Sequence, residues 1–490
     1  MTEQEKPRRL VFCFDGTWNR LSADCPTNVV RLAQMVRPIA RDGVQQIVHY
    51  DEGIGTDSRL NRWSGGILGE GMLKILREAY RFLIFNYRLG DQIYAFGFSR
   101  GAYTARSFIG FIRHAGILDV ARASAIDQAL RLYSAAPAGD IGEESKAATH
   151  FRLLHCSAVC VSEKDRDDRM RLFAELSAGD RAHFDPAYDP AALTLIDFRY
   201  LGVWDTVRAL GIPDFLPFAA RANRKYAFHD AVLTSKVRAA RHAVAIDEPR
   251  LAFRPTLFGR DKVAELNALA ARGRAQPFAD WELPYMERWF PGVHGAVGGG
   301  GDRRGLSDIA LAWVLRGARR AGLDVRTEDG GAVYGLMHDP LDALQNSTVR
   351  RWTDRPPVSW LRALLHRARR DGPTGLPELG LSTLARWHAI ATYRPRTLAE
   401  AAQAIAAWPF APGFETKRSA AGWRKYRVVI GDTLIKIAIR LFDDADLWLG
   451  LFAANRDQLD DPDDITVGME LRVPPREWFL PEDRRPPTLD

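Results

Sequence analysis

The feature that most constrains this chain is a repeated transition. A short apolar run of β-type residues stops at a carboxylate, a glycine or a serine, and a stretch with helical periodicity follows. Leu10-Val11-Phe12-Cys13-Phe14 ends at Asp15-Gly16-Thr17, and Gln46-Ile47-Val48-His49-Tyr50 runs into Asp51-Glu52-Gly53-Ile54-Gly55-Thr56. The runs at 91–98 and 198–204 end at Ser99 and Asp205. Continuous apolar runs mark strands buried on both faces. Between them, residues 28–39 and 72–87 carry apolar side chains near a period of 3.6. Alternating strands and helices predict an α/β fold with a mostly parallel sheet and helices on both faces. The 490 residues leave room for two or three domains, and a hydrophobic content of 46% is enough for a sizeable core.

Lys and Arg outnumber Asp and Glu, 68 to 61, for a net charge of +7. The excess favours acidic surfaces such as phospholipid headgroups. The arginines are dispersed, with no long block of like charge, so nucleic acid is not an expected partner. No apolar window reaches the ~18 residues of a membrane span. Cys13, Cys25, Cys156 and Cys160 form neither a disulfide framework nor metal-ligand spacing, so reduced thiols and no metal are expected. The first residues include acids and lead into a short apolar run, unlike a signal peptide. Synthesis in the cytoplasm without Sec export is the expectation.

Gly97-Phe98-Ser99-Arg100-Gly101 matches GxSxG in the setting that gives the motif meaning, with a strand before it and a helix after it. Ser99 is the candidate nucleophile. Its hydroxyl needs a base aligned by a carboxylate, in the chain order Ser, acid, His. His294 lies in the glycine-rich loop Phe290-Pro291-Gly292-Val293-His294-Gly295-Ala296-Val297-Gly298-Gly299-Gly300-Gly301 and is the candidate base. His229, His242, His338 and His388 are read as packing or surface residues in helices or ordinary loops. Asp205 follows an apolar strand and is the candidate acid, with Asp119 and Asp302 in reserve. The oxyanion donors are expected to be the backbone N–H of Arg100, after the nucleophile, and those of Gly16 and Thr17 in the loop after the first strand. Asp15 is expected to hold that loop in shape. The loop carrying Asp51, Gly53, Gly55 and Thr56 either shapes the pocket or turns the chain. No cofactor is needed for this chemistry.

Residues 119–194 are rich in helix and alanine and read as an insertion capping the sheet, with an apolar rim available for peripheral membrane contact. Residues 331–422, with the arginine pairs Arg350-Arg351 and Arg369-Arg370, read as a helical annex and linker without chemistry of their own. Residues 424–475 have the pattern strand, helix, helix, strand, and the proline-rich 476–490 reads as a disordered tail.

Taken together, Phe12 to Asn19, Thr27-Asn28-Val29, Tyr50 to Thr56, the GxSxG segment, Leu201-Gly202-Val203-Trp204-Asp205-Thr206-Val207, Arg241-His242-Ala243-Val244-Ala245-Ile246-Asp247-Glu248 and Phe290 to His294 resemble the Tle-type phospholipase effector family, over residues 8–330. The resemblance implies an α/β-hydrolase with a Ser-Asp-His triad that hydrolyses carboxylic esters of membrane phospholipids. It further implies delivery by type VI secretion into the periplasm of a competing bacterium, a secretion spike protein and an immunity protein as partners, and no cofactor. In the family pattern the histidine continues as His-Ser-Asp-Val-Gly-Gly-Gly-Tyr, so this chain has lost an acidic and an aromatic position. The terminal unit is similar to a LysM domain. That likeness implies binding of peptidoglycan or a related N-acetylglucosamine glycan, with Gly431, Asp432, Thr433, Asn455 and Ile465 as the residues carried over. Two other readings of the same residues stand beside this one. The chain could be an esterase or deacylase on soluble or glycan-linked esters, or a catalytically degenerate hydrolase fold that binds or delivers.

Overall fold

The computed structural model describes residues 6–16, 23–53, 65–135, 145–207, 232–250, 253–278, 282–326, 336, 339–347, 370–407, 423–429, 432, 434–442, 451–452, 454–455, 458–459 and 464–474. They fall into two compact units, residues 1–270 with 284–371, and residues 271–283 with 372–490. The first unit therefore runs some forty residues beyond the boundary expected at 330.

In the first unit the strands are β1 (Arg9–Phe14), β2 (Gln46–Asp51), β3 (Gln92–Phe98), the two-residue β4 (Val159–Cys160) and β5 (Thr194–Leu195), β6 (Asp197–Trp204), β7 (Ala240–Ala245) and β8 (Tyr285–Phe290). Six of them form one sheet in the order β2-β1-β3-β6-β7-β8, and every neighbouring pair is parallel. The order reverses direction between β1 and β3. In an open parallel sheet, that point leaves a crevice at the carboxyl ends of the strands.

Alternation along each strand serves two cores. Leu10, Phe12 and Phe14 of β1 with Ile93 and Ala95 of β3 join an apolar cluster with α2 (Gly65–Asn86) and α3 (Arg100–Ala115). Residues of opposite parity face the other layer, where the Tyr200 hydroxyl donates to Val314 O at 2.8 Å and the Trp204 indole to Ala310 O at 3.2 Å, both on helix Gly305–Arg320. On this layer α1 (Asn28–Met35) is capped by the Thr27 hydroxyl, which accepts from Val30 N, and its Arg31 is ion-paired with buried Asp308. The helix expected to reach residue 39 stops at Met35, where Val36 turns extended ahead of Pro38.

Strands β7 and β8 were hidden by their charges, Arg241 and His242 in one and Glu287 and Arg288 in the other. The parallel register sets His242 opposite Glu287, and the imidazole Nδ1 meets the carboxylate at 2.8 Å. His242 was expected in a helix or loop. It is instead a fully buried strand residue whose Nε2 accepts from Thr206 N at 3.1 Å.

The insertion is largely helical as expected, with α4 (Ile126–Ala135), α5 (Lys146–His155) and α6 (Glu163–Glu175) beside the short parallel pair of β4 and β5. Buried Arg152 of α5 donates to His114 O and to Asp165, and the Cys156 thiol donates to Ala115 O. His114 and Ala115 end α3, sixteen residues and ~24 Å of helix away from Ser99. The described part of the insertion is thus anchored on α3 from Ser107, whose carbonyl accepts from the Tyr133 hydroxyl, to its C-terminal end.

The second unit carries helices Leu381–Ala389 and Ala402–Ala407 and an antiparallel pair, β9 (Arg424–Arg427) with β10 (Glu470–Val473). Helix Leu434–Phe442 lies between these strands in sequence, and Leu434, Ile437, Ala438, Phe442, Leu451, Phe452 and Leu471 form a core of their own. Most of the second helix expected in this unit, and the tail 476–490, lie outside the described residues. All four cysteines are free thiols.

The close approach of α3 to the sheet depends on glycine. A Cβ on Gly101 would lie 2.2 Å from Phe14 O, and one on Gly97 would lie 2.3 Å from Gly101 O. Gly101→Ala is therefore expected to destabilise the fold by about 2–3 kcal/mol through overpacking against backbone. Gly179→Ala, whose Cβ would meet nothing closer than 3.8 Å, should leave the thermal midpoint unchanged.

Candidate active site

Ser99 follows β3 directly and takes φ 60° and ψ −122°, a conformation that a non-glycine residue adopts at a cost of about 1–3 kcal/mol. The strain lifts Ser99 out of the strand at the first turn of α3. Its backbone is fixed on both sides, with Ser99 N donating to Trp204 O at 3.0 Å and Val207 N to Ser99 O at 3.3 Å. The register that pairs Phe98 with Trp204 therefore sets Ser99 and Asp205 side by side. Asp205 has the other positive φ among described non-glycine residues, at 35°.

Asp205 is completely buried. Its Oδ2 lies 2.6 Å from His294 Nδ1, and its Oδ1 accepts from Ala245 N at 3.0 Å. Arg370 grips the same carboxylate with both guanidinium nitrogens, 2.8 Å to Oδ1 and 3.1 Å to Oδ2. Burial alone pushes this carboxyl up. The Arg370 charge and the His294 hydrogen bond outweigh it and hold the group well below the usual carboxylate range.

His294 opens a short helical turn after β8 and is itself buried. Its backbone N–H donates to Glu248 Oε2 at 3.1 Å, and its ring packs between Phe98 at 4.6 Å and Phe253 at 4.7 Å. Phe98 precedes Ser99, so this contact brings the imidazole to the same strand end as the hydroxyl. The glycines after His294 allow it, because Gly298 sits where any Cβ would enter the Phe98 ring. The turn is also tied to a segment near residue 344, with Val293 N donating to Leu344 O and the Asn346 amide donating to Gly299 O. Glu248 is paired with Arg250. Burial raises its carboxyl, and the Arg250 hydrogen bonds and charge more than reverse that, leaving it below its ordinary value.

The expected triad residues thus converge at one sheet edge. The oxyanion donors do so only in part. Arg100 N–H stands at the start of α3 beside Ser99, but Gly16 N–H donates to its neighbour Asp15 Oδ1 at 2.6 Å instead of facing the serine. Thr17 lies outside the described residues. Asp15 Oδ2 also accepts from the Thr27 and Tyr50 hydroxyls, at 2.7 and 3.0 Å, which fixes the loop as expected. The Asp51 carboxylate accepts from Gly53 N and turns the chain, while Gly55 and Thr56 fall outside the description.

Neither reserve acid joins the site. Asp119 accepts from Ser157 N in the insertion, and Asp302 is exposed. His388 lies in the second unit beside Ile405 O, and His229 and His338 are outside the described residues. Arg370 was expected in a segment without chemistry, since an arginine pair in a polar stretch carries no signal of burial, and it instead holds the Asp205 carboxylate. Glu248 lies in the segment 241–248 that carries the family resemblance, where nothing local marks it as the acceptor of the His294 backbone N–H. Among the described residues no group of His, Cys, Asp and Glu could hold a metal, and no helix is long and apolar enough to cross a membrane.

Among the terminal residues expected to bind glycan, Asp432 accepts from Tyr426 Oη and Val429 N and pairs with Arg440. Asn455 is buried, donating to Leu451 O and Arg472 O and accepting from Arg472 N. Both side chains are engaged within the unit. Ile465 is half-buried against its core, and Gly431 and Thr433 lie outside the described residues.

A parallel sheet with a strained serine between strand and helix, and an acid–imidazole pair at the adjacent strand ends, defines the α/β-hydrolase-like class. Residues 8–317 match the model of a family described as T6SS, phospholipase effector Tle1-like, catalytic domain. The chain belongs to that family. Over 140 residues it is 29% identical to the uncharacterized protein YEL023C of Saccharomyces cerevisiae, covering 26% of this chain and 20% of that protein. The chain therefore spans about a fifth of the curated relative it matches. Two solved structures are similar. One is the crystal structure of an uncharacterized protein from Pseudomonas aeruginosa, at 18% identity over 66% of this chain and 47% of that one, with a TM-score of 0.37. The other is a Tle1 effector bound to the VgrG spike of the type 6 secretion system, at 19% identity over 60% and 52%, with a TM-score of 0.29.

Because Asp205 titrates lower folded than unfolded, its stabilisation is complete above the unfolded value of about 3.9 and is lost as pH falls through the folded one. Asp205→Asn is expected to cost about 3 kcal/mol at pH 7, since it leaves the Arg370 charge buried without a counterion. The difference from wild type should narrow below about pH 4. Urea titrations at pH 7 and pH 3 measure both quantities.

Proposed function

We propose that this chain is a serine-dependent lipolytic hydrolase that cleaves carboxylic esters of phospholipids. The observation that carries the reading is the buried Asp205–His294 pair, 2.6 Å apart, at the strand ends beside strained Ser99. Membership of a type VI secretion phospholipase effector family supports the substrate class.

In this mechanism Asp205 holds Nδ1 of His294 protonated, which leaves Nε2 as the proton acceptor. His294 takes the Ser99 proton as Oγ bonds to the ester carbonyl carbon, and the oxyanion forms against the Arg100 N–H. Collapse breaks the bond to the leaving alcohol, which takes the proton from His294. Water, deprotonated by the same imidazole, then releases the fatty acid and restores the serine. A second oxyanion donor has to come from the loop after β1, by Gly16 N–H leaving Asp15 or from Thr17.

Type VI delivery into a target periplasm follows as a proposal from the family, with a secretion spike and an immunity protein as partners. For residues 424–475 we propose a LysM-like module that directs the enzyme to peptidoglycan. The antiparallel β9–β10 pair with a helix between its strands in sequence supports this. Contact with the membrane is peripheral.

Purified protein incubated with phosphatidylethanolamine and phosphatidylglycerol vesicles should release free fatty acid. Ser99→Ala should lower that rate by at least about 10³-fold, as loss of a triad nucleophile does. Turnover of short p-nitrophenyl esters with none of vesicles would instead make this a soluble-ester esterase or deacylase. Absence of both would leave the degenerate binding protein.

A further inference from the structure

We propose that Arg370 is a positioning residue of this site: it fixes the Asp205 carboxylate in one orientation and cancels its charge, so that His294 works beside a neutralised acid. The inference rests on the hydrolase reading above and assigns a residue outside the 8–317 stretch that matches the family. Arg370 is 165 positions from Asp205 and is the last residue but one of the first unit.

The guanidinium is built into the edge of the sheet. Besides both oxygens of Asp205, it donates to Ala245 O at 2.7 Å and to Phe253 O, and its side chain is 1% exposed. These acceptors fix the fork in a plane, and the fork fixes the carboxylate with Oδ2 toward His294. Ala245 N–H already satisfies one oxygen of Asp205. Burying a full cation to serve the rest is poor economy for stability alone, since a buried ion pair is at best marginal against an apolar replacement. Phe253 gives the arrangement a second link, because its carbonyl holds Arg370 while its ring packs on His294.

The charges around the imidazole show what the cation accomplishes. Asp205 meets Nδ1, and Glu248 accepts from the His294 backbone. Arg370 covers the first carboxylate and Arg250 the second. Asp247 accepts from Gly292 N two residues before His294, and the ring's aromatic neighbours are Phe98, tilted against it, and Phe253, edge-on. Without Arg370, the Asp205 charge faces the imidazole unopposed and favours the imidazolium. With it, the carboxylate that meets Nδ1 is already paired with a cation, and its pull on the imidazole is offset.

Arg370→Gln tests this through the pH profile of kcat/KM on a soluble p-nitrophenyl ester. The expected result is a loss of at least tenfold at pH 6, with the acidic limb moved up by about one pH unit. Arg370→Lys keeps a charge without the fork, so its limb should stay at the wild-type position while kcat falls. An Arg370→Gln limb at the wild-type position, whether the rate is lowered or unchanged, would overturn the inference. So would Arg370→Lys with wild-type kcat, which remains decisive if the glutamine variant does not fold. Failure of the hydrolase reading is distinguishable, because wild-type protein then turns over no ester at any pH. Hydrogen exchange at the His294 C2 position, followed by mass spectrometry, still decides the matter in that case. A protonation midpoint raised in Arg370→Gln supports the proposal, and an unmoved midpoint refutes it.

Discussion

One buried carboxylate organises this molecule. Asp205 is fully enclosed, and an isolated charge in that position would be prohibitive. It is tolerable because three groups from distant parts of the chain converge on it in four hydrogen bonds: the His294 ring, the Ala245 amide and the two terminal nitrogens of Arg370. Each of those segments is thereby held at the same sheet edge. The His294 turn, the loop after β7 and the end of the first unit meet where the strands finish, and the serine elbow shares a backbone hydrogen bond with the strand that carries the acid.

The parallel register supplies the rest of the alignment. Pairing of Phe98 with Trp204 puts the next residue of each strand, Ser99 and Asp205, at the rim. Both depart there into positive φ, so the two strained residues of the described backbone are also the two whose side chains must leave the plane of the sheet. Pre-organisation of this kind is stored in the fold, because the glycines of the elbow and the Thr206–His242–Glu287 hydrogen bonds hold each turn. The described part of the insertion packs on α3 from Ser107 onward, and the described groups around His294 come from the strand-end loops, from Leu344 and Asn346 beside its turn, and from Arg370.

Much of this arrangement was legible in the chain. Fully buried strands leave continuous apolar runs, and β1, β3 and β6 fall within a residue of the boundaries those runs imply. The elbow could be read because its constraint is local: strand, two glycines and helix lie within a few residues. Strands β7 and β8 could not, because the polar side chains His242 and Glu287 meet only across the register, from positions forty-five apart. Arg370 was illegible for the same reason at longer range. Nothing in a solvated-looking arginine pair indicates a carboxylate buried 165 residues earlier. The Gly16 amide was assigned from its place in a loop, and the competing side chain of Asp15 was its nearest neighbour.

The most direct test of the account is a crystal structure of the protein after reaction with a fluorophosphonate. The expected result is phosphorus bonded to Ser99 Oγ, a phosphoryl oxygen within hydrogen-bond reach of Arg100 N–H, and His294 still held by Asp205. An adduct on another residue, or an imidazole parted from both the serine and the aspartate, would contradict it.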